Sequence, residues 1–208
     1  MFDSLAVQGD LHLPSGDGRR PAVIIASGRA YHRDLPLIRQ LAEKAAAEGL
    51  VAARFDWRYH TAGTEPAADG KDILADAREV LGALKRHPRV DPSRIAIAGK
   101  SMGSTVAWTV FRSQKTAAVA LLTPLAPSHE VRARTYSGFA DEGRPVLLVG
   151  GKGDPFAASL GALAMASPPN ITTLVVGGGH GLSESGTDSR YVPLVVDCTV
   201  AWLKRVLI

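Results

Sequence analysis

The chain has 208 residues, a length that suits one domain and leaves little room for a second. Hydrophobic residues make up 46% of it and charged residues 21%, as in globular proteins with a sizeable core. The formal net charge is +4, but basic and acidic residues are interspersed and only 6% of residues are aromatic, which argues against nucleic-acid binding. We therefore predict a single domain over residues 1–208 with no nucleic-acid partner.

The sequence carries no signal of export or of membrane insertion. Its lone cysteine, Cys198, has no second thiol for an internal disulfide, so no oxidising compartment is implied. The first residues lack a basic segment followed by an apolar core, and no apolar run approaches the ~20 residues needed to cross a bilayer. We expect a soluble, cytoplasmic protein with no membrane partner, and the sequence leaves its oligomeric state open.

Short apolar runs alternate with longer amphipathic stretches, a pattern typical of a mainly parallel sheet covered by helices. The clearest helix has its apolar residues at helical spacing along one face. The predicted elements are, in chain order, strand 21–26, helix 35–49, strand 51–57, helix 72–86, strand 94–99, helix 102–110, strands 117–122, 145–150 and 172–176, and helix 193–206. Because the strands are apolar on both faces, we predict an α/β protein built as a three-layer α/β/α sandwich.

One motif indicates chemistry: Gly-Lys-Ser-Met-Gly at residues 99–103 matches the G-x-S-x-G pattern of a nucleophile elbow. In such an elbow Ser101 occupies a tight strand-to-helix turn, and the flanking glycines let neighbouring backbone pass. The bare pattern is weak, but an apolar strand precedes it and a helix can follow from Met102. A phosphate-binding loop is rejected, because the glycine it needs five positions earlier is Arg94. We predict that Ser101 is a nucleophile.

With this motif the sequence resembles the α/β-hydrolase superfamily, and within it the dienelactone-hydrolase-like branch, over nearly the whole chain. It is also similar to a nearby branch that includes non-specific-lethal chromatin-complex subunits. The segments that carry the resemblance are Ser27-Gly28-Arg29-Ala30, Arg54-Phe55-Asp56-Trp57, residues 99–104, Gly151-Lys152-Gly153-Asp154-Pro155-Phe156 and Gly178-Gly179-His180-Gly181. The resemblance implies a minimal α/β-hydrolase fold, and the short chain leaves no room for a lid domain.

The family's catalytic residues follow the order serine, acid, histidine, and this chain can supply all three. A serine needs a base to become nucleophilic, and His180 follows the last predicted strand in a glycine-rich loop. Asp154 follows the strand at 145–150 and would orient the imidazole. The weaker histidine candidates are His12, His32, His60, His87 and His129. The rival acids, none of which directly follows a strand, are Asp141, Glu142, Glu184 and Asp188.

The resemblance also implies an oxyanion hole made of two backbone amides. One is the N–H of Met102, immediately after the nucleophile. The other follows the strand at 21–26 and is assigned to Arg29, with Ala30 as the close alternative. Side-chain identity matters little at these positions, because the backbone donates.

Five further side chains are candidates for lining the substrate. They are Ala30, Tyr31, Trp57, Lys100 and Lys152. If Lys100 and Lys152 face the site together with Arg29, they favour an anionic substrate, and the alternative is that all three are solvated loop residues. Tyr31 and Trp57 are candidates for an apolar wall, with packing in the core or at the rim as the alternative.

The leading hypothesis is a serine hydrolase that acts on a small or exposed carboxylic ester, thioester or lactone. No cofactor is expected, and no metal either, because no histidine pair or cysteine cluster has the spacing of metal ligands. Two alternatives stay open. One is a non-catalytic scaffold module, since fold alone does not establish catalysis, and the other is an acyltransferase that uses the same residues.

Overall fold

A computed structural model describes residues 6–126, 128–165, 170–182 and 190–208 of the chain. The strands in these ranges are β1 (Gly9–His12), β2 (Arg20–Ala26), β3 (Val51–Phe55), β4 (Val90–Lys100), β5 (Ala118–Leu122), β6 (Val146–Gly151) and β7 (Ile171–Val176). The helices are α1 (Pro36–Ala47), α2 (Arg58–Thr61), α3 (Lys71–Arg86), α4 (Met102–Gln114), α5 (His129–Thr135), α6 (Ala157–Met165) and α7 (Val192–Leu207).

The strands form one sheet in the order β1-β3-β2-β4-β5-β6-β7. All neighbours are parallel except β1, which pairs antiparallel with β3 at one edge. The central strands β2 and β4 are in register from Ala22 opposite Ile95 to Ala26 opposite Gly99. The mainly parallel sheet predicted from the apolar runs is confirmed, and its parallel strands all end at the same edge.

Alternate side chains of each central strand enter two separate apolar clusters. Ile24 of β2 and Ile97 of β4 belong to the cluster that includes residues of α3, α4 and α6. Val23 and Ala98 point the other way, into the cluster that includes residues of α1 and α7. This period-two alternation places helices on both faces of the sheet, so the predicted three-layer sandwich is confirmed. Within the described ranges, no helix is both long and apolar enough to cross a membrane.

The structure departs from the predicted elements where the local pattern is short or mixed. Strand β1 is four residues long and only partly buried, so it offers little periodicity to detect. The short helices α2 and α5 and the small-residue helix α6 were not predicted either. Strand β4 begins earlier than predicted, because Val90 already pairs with Arg20. Residues 91–94 then bulge out of the ladder before pairing resumes between Ala22 and Ile95. The carboxylate of Asp91 caps that bulge by accepting from the Ser93 amide at 3.0 Å.

The first turn of α4 lies directly against the end of β2. A Cβ atom placed on Gly103 would come within 2.4 Å of the Ala26 carbonyl oxygen and 2.5 Å of the Ser27 carbonyl oxygen. A Cβ atom on Gly99 would come within 2.1 Å of the Gly103 carbonyl oxygen. Glycine is therefore required at both positions for three stretches of backbone to meet at this point.

We expect Gly103→Ala to lower the free energy of unfolding by about 2–4 kcal/mol, because backbone must move to admit the methyl group. The matched control is Gly161→Ala in α6, where an added Cβ meets nothing within 4 Å. Alanine in that exposed helical position should be neutral or stabilising by up to about 1 kcal/mol. Urea unfolding of both variants measures the difference, and equal midpoints would contradict the packing described for α4.

Candidate active site

The carboxyl ends of four parallel strands deliver the predicted site residues to one edge of the sheet. The loop after β2 carries Arg29, and Ser101 directly follows β4. Asp154 lies three residues after β6, and His180 lies four residues after β7. Polar side chains from distant parts of the sequence therefore meet above the centre of the sheet, where α/β proteins commonly bind ligands.

Ser101 occupies a strained backbone conformation, with φ 55° and ψ −119°. Residues other than glycine rarely adopt this region, and such strain persists only where surrounding structure enforces it. Here the Ser101 amide donates to the Leu122 carbonyl oxygen of β5 at 2.9 Å, which holds the turn to the sheet. The side chain lies at the helix start with 9% of the residue exposed. Ser101 thus occupies the tight strand-to-helix turn that the motif predicts.

Two buried hydroxyl groups brace the elbow from behind. Ser104 Oγ donates to the Ser101 carbonyl oxygen at 2.6 Å and lies 2.9 Å from the Tyr136 hydroxyl. The Leu125 amide donates to the same Ser104 Oγ at 3.3 Å. The sequence places Ser104 at the end of the elbow segment but predicts no role for it. The contribution of Tyr136 was missed, because nothing in its local sequence points to residue 104.

The structure brings Ser101, His180 and Asp154 together. His180 Nε2 lies 2.8 Å from Ser101 Oγ, and His180 Nδ1 lies 2.9 Å from Asp154 Oδ2. Asp154 is buried, and its other carboxylate oxygen accepts from the Phe156 amide at 2.9 Å. With Nδ1–H donated to the carboxylate, the lone pair on Nε2 faces the serine hydroxyl. The arrangement can accept the serine proton and stabilise the resulting imidazolium.

The loops that carry the acid and the histidine are bonded to each other. The Gly153 amide donates to the Gly178 carbonyl oxygen at 2.7 Å. A Cβ atom on Gly151 would lie 2.5 Å from the Gly179 carbonyl oxygen, so only glycine permits this approach. The Phe156 ring packs edge-on against the His180 imidazole, with centroids 5.2 Å apart. Phe156 belongs to a segment that carries the family resemblance, residues 151–156, but the sequence alone does not predict this contact.

Burial sets the electrostatics of the histidine. Desolvation and, second, the charge of Lys100 lower the pKa of His180 below its ordinary value of 6.5, whereas Asp154 opposes this shift. The lowered pKa keeps the imidazole neutral near pH 7, which is the form a general base requires.

The two residues predicted to supply oxyanion donors, Met102 and Arg29, lie in the helix start and in the loop next to Ser101. Met102 is the first residue of α4, where a backbone N–H has no acceptor within the helix. The loop after β2 passes over the serine, since a Cβ on Gly28 would lie 3.3 Å from Ser101 Cβ. The carbonyl oxygen of the next residue, Arg29, accepts from the Tyr59 hydroxyl at 2.7 Å, which fixes the peptide between Arg29 and Ala30. Burial raises the pKa of Tyr59 to about 12, so the phenol stays protonated as a donor.

Asp56 anchors the far end of the same loop. Its carboxylate accepts from the Arg33 amide at 2.7 Å and forms an ion pair with the Arg33 guanidinium. Asp56 is buried just past β3. Asp56 belongs to a segment that carries the family resemblance, but the sequence does not predict its role as an anchor. The ion pair with Arg33 depends on how the loop after β2 folds back.

The predicted lining residues separate into two groups. Ala30 and Lys152 are exposed and Tyr31 is half-buried, in the loops that flank the serine and the acid. Trp57 has 0% exposure and donates from its indole nitrogen to the Ser27 carbonyl oxygen at 3.2 Å. The prediction that Trp57 walls the substrate is therefore wrong, and the core alternative is correct, because its ring packs edge-on against Phe55 at 4.8 Å.

The three basic residues considered for an anionic substrate, with solvated loop residues as the alternative, do not share one environment. Arg29 is exposed and forms an ion pair with Glu65, which offsets its charge. Lys100 is only 2% exposed, and its Nζ donates to the His180 carbonyl oxygen at 2.7 Å. Lys100 therefore faces the protein interior and is neither solvated nor open to the mouth of the site. Of these three side chains, Lys152 alone is exposed and forms no ion pair with a described residue.

The rival acids do not meet the histidine in the described ranges. Glu142 is buried and pairs with Arg112 and Arg144, and Asp141 is exposed. Glu184 and Asp188 lie outside the described residues. Within residues 6–126, 128–165, 170–182 and 190–208, no group of three or more histidine, cysteine, aspartate or glutamate side chains is placed to hold a metal ion.

Comparison with known proteins relates this chain to a family. A family model described as an alpha/beta hydrolase domain matches residues 19–192. A Mycobacterium tuberculosis protein (strain H37Rv), itself uncharacterised, is 30% identical over 188 residues, which cover 81% of this chain and 65% of that protein. A bis(hydroxyethyl) terephthalate hydrolase of Streptomyces coelicolor is 26% identical over 213 residues, covering 97% of this chain and 64% of that enzyme. The chain thus spans slightly less than two thirds of the length of these curated relatives.

A solved structure shares the architecture at low sequence identity. Est1E from Butyrivibrio proteoclasticus superposes with a TM-score of 0.76 at 18% identity, covering 96% of this chain and 93% of that one. A likeness at this identity shows the fold, and it agrees with the sheet order and the two helical layers described above. Together with the family model, which spans most of the chain, it leads to one conclusion: this chain belongs to the α/β-hydrolase domain family.

Proposed function

We propose that the protein is a serine hydrolase of small carboxylic esters. The observation that carries the proposal is the pair of hydrogen bonds that links Ser101 Oγ, His180 and Asp154 at 2.8 and 2.9 Å. The positive φ of Ser101 supports it, since strain of this kind is stored at functional sites. The relative from Streptomyces coelicolor is named as a hydrolase of bis(hydroxyethyl) terephthalate, which also favours hydrolytic chemistry.

In the proposed reaction, Ser101 Oγ attacks the ester carbonyl carbon while its proton moves to His180 Nε2. The carbonyl π-bond opens, and the negative charge develops on the former carbonyl oxygen. When the tetrahedral intermediate collapses, the ester C–O bond breaks and His180 gives its proton to the departing alkoxide. The products of this half are an alcohol and an acyl group on Ser101.

The second half repeats these steps with water as the nucleophile. His180 accepts a proton from water, and the oxygen attacks the acyl carbon. Collapse then breaks the bond to Ser101 Oγ, which takes the proton back from His180. The carboxylic acid leaves, and the enzyme returns to its starting state without a cofactor. Asp154 holds the imidazole through both halves and stabilises its charged form.

The oxyanion formed in each half needs donors that are already in position. We assign this role to the amides of Met102 and Arg29, which flank Ser101. Backbone donors that are fixed in advance need no reorganisation as charge develops, and each is worth roughly 3–4 kcal/mol in comparable sites. The Tyr31 amide donates to the Gly28 carbonyl oxygen at 3.2 Å and so holds the peptide that carries the Arg29 N–H. The Tyr59 bond to the Arg29 carbonyl oxygen and the ion pair of Arg33 with Asp56 hold the loop around it.

Replacing the nucleophile provides the direct test. We expect Ser101→Ala to lower kcat for p-nitrophenyl acetate by at least about 10⁴-fold and to abolish labelling by a fluorophosphonate probe. The matched control is Ser113→Ala, an exposed serine on the same helix, which should keep wild-type activity and labelling. A folded wild-type protein that neither hydrolyses esters nor labels at Ser101 would instead favour a scaffold role.

The acid is tested by an isosteric change. Asp154→Asn keeps the shape of the side chain but removes the charge that stabilises the imidazolium, so kcat should fall by about 10³–10⁴-fold. Asp141→Asn, which alters an exposed rival acid, should leave kcat within about twofold of the wild type. Steady-state kinetics of the two variants decides the assignment. Equal rates for Asp154→Asn and the wild type would refute it.

The pH dependence follows from the lowered pKa of His180. Only neutral imidazole can accept the serine proton, so kcat/KM should fall as the pH drops through a pKa below 6.5. We expect the loss to approach about tenfold per pH unit on the acid side. The profile is measured with a neutral ester from about pH 4.5 to 8, with circular dichroism at each pH to verify folding. A midpoint above 6.5 would contradict the predicted direction.

A further inference from the structure

A buried lysine lies beside the proposed nucleophile without a part in the chemistry described so far. Lys100 is the last residue of β4, directly before Ser101. Burial lowers the pKa of its ammonium group to about 8, although Asp154 opposes that shift. Removing a charged amine from water is unfavourable, so buried lysines persist where specific partners compensate.

The partners of Lys100 come from three different loops. Its Nζ donates to the carbonyl oxygen of His180, after β7, at 2.7 Å. The same atom lies 5.2 Å from the centre of the Tyr31 ring, in the loop after β2, within the range of a cation–π contact. Asp154, in the loop after β6, attracts its charge. One side chain therefore contacts or attracts the loops after β2, β6 and β7.

We propose that Lys100 is a positioning residue that fixes the His180 loop relative to Ser101 and supplies the positive charge that balances Asp154. The inference rests on the proposed serine hydrolase function and deepens it. Because Lys100 and Ser101 are adjacent in the chain, their side chains share one rigid support at the end of β4. The hydrogen bond from Lys100 thus ties the histidine backbone to the same strand that carries the nucleophile.

The His180 loop needs such a tether, since its sequence is Gly178-Gly179-His180-Gly181. Glycines restrict the backbone less than any other residue, so the loop does not define its own position. The His180 imidazole forms hydrogen bonds with Ser101 and Asp154 and packs against the edge of Phe156. The His180 carbonyl oxygen accepts a hydrogen bond from Lys100. Without the last of these, the backbone of His180 loses its direct bond to β4.

The charge of Lys100 has a separate, measurable effect. At a pH where His180 titrates, below 6.5, Lys100 is protonated, because its own pKa is about 8. A nearby cation disfavours a second positive charge, so Lys100 helps to keep the imidazole neutral. Asp154 and His180 are the charged or titratable groups in this balance, and the Tyr31 ring adds a cation–π contact to Lys100.

The test compares Lys100→Met, which removes the charge and the donor, with Lys100→Arg, which keeps the charge. For Lys100→Met we expect kcat on p-nitrophenyl acetate to fall about 10- to 100-fold, with KM within about threefold of the wild type. The acid limb of kcat/KM should move up by about half a pH unit or more. Lys100→Arg should keep the wild-type acid limb. The matched control, Lys85→Met on the exposed face of α3, should change neither kcat nor the acid limb.

An NMR titration of the His180 imidazole in the same variants measures the charge effect without any substrate. A higher imidazole pKa in Lys100→Met than in the wild type and Lys100→Arg supports the proposal. A folded Lys100→Met protein with the wild-type kcat and the wild-type imidazole pKa overturns it. An inactive, unlabelled wild type together with the expected imidazole shift overturns the hydrolase function, while the effect of the Lys100 charge on His180 stands.

Discussion

The close approach of backbone at the end of β4 is the constraint on which the rest of this site depends. Gly99 and Gly103 let β2, β4 and α4 meet at distances that no side chain would allow. With those contacts in place, Ser101 has no room for an ordinary backbone conformation and adopts a positive φ. The strain is compensated by packing and by bonds to β5 and Ser104, so the orientation of the hydroxyl is set by the fold.

Around the serine, charge is balanced inside the protein and not by solvent. Asp154 and Lys100 are both buried, and their charges shift the pKa of His180 in opposite directions. The carboxylate favours the charged imidazole and the ammonium opposes it, while burial adds to the opposition. In the proposed hydrolase, this balance leaves the histidine neutral at rest yet supported when it takes up a proton. The exposed ion pair of Arg29 with Glu65 contributes little by comparison, because water screens it.

Sequence reasoning reached the strands, the main helices and the meeting of Ser101, Asp154 and His180, because those features follow local rules. Apolar runs predict buried strands, and the elbow motif predicts its turn from the glycines that flank it. The surroundings of the site were harder to predict, since they depend on where side chains point. Trp57 follows a strand as a lining residue would, yet its ring turns into the core. Lys100 was considered as a cation facing the substrate or the solvent, but its side chain is buried and donates to the carbonyl oxygen of His180, 80 positions away.

The distances along the chain between the site residues have a consequence for how the protein folds. Ser101 and His180 are 79 residues apart in sequence, and His180 is held by the loop after β7, at the far edge of the sheet from β1. Contacts of such long sequence separation form late, because the entropy of closing the intervening chain must first be overcome. The hydrogen-bonded trio can therefore assemble only once β7 has docked onto β6. Any catalytic competence it confers would report the docking of β7 during refolding.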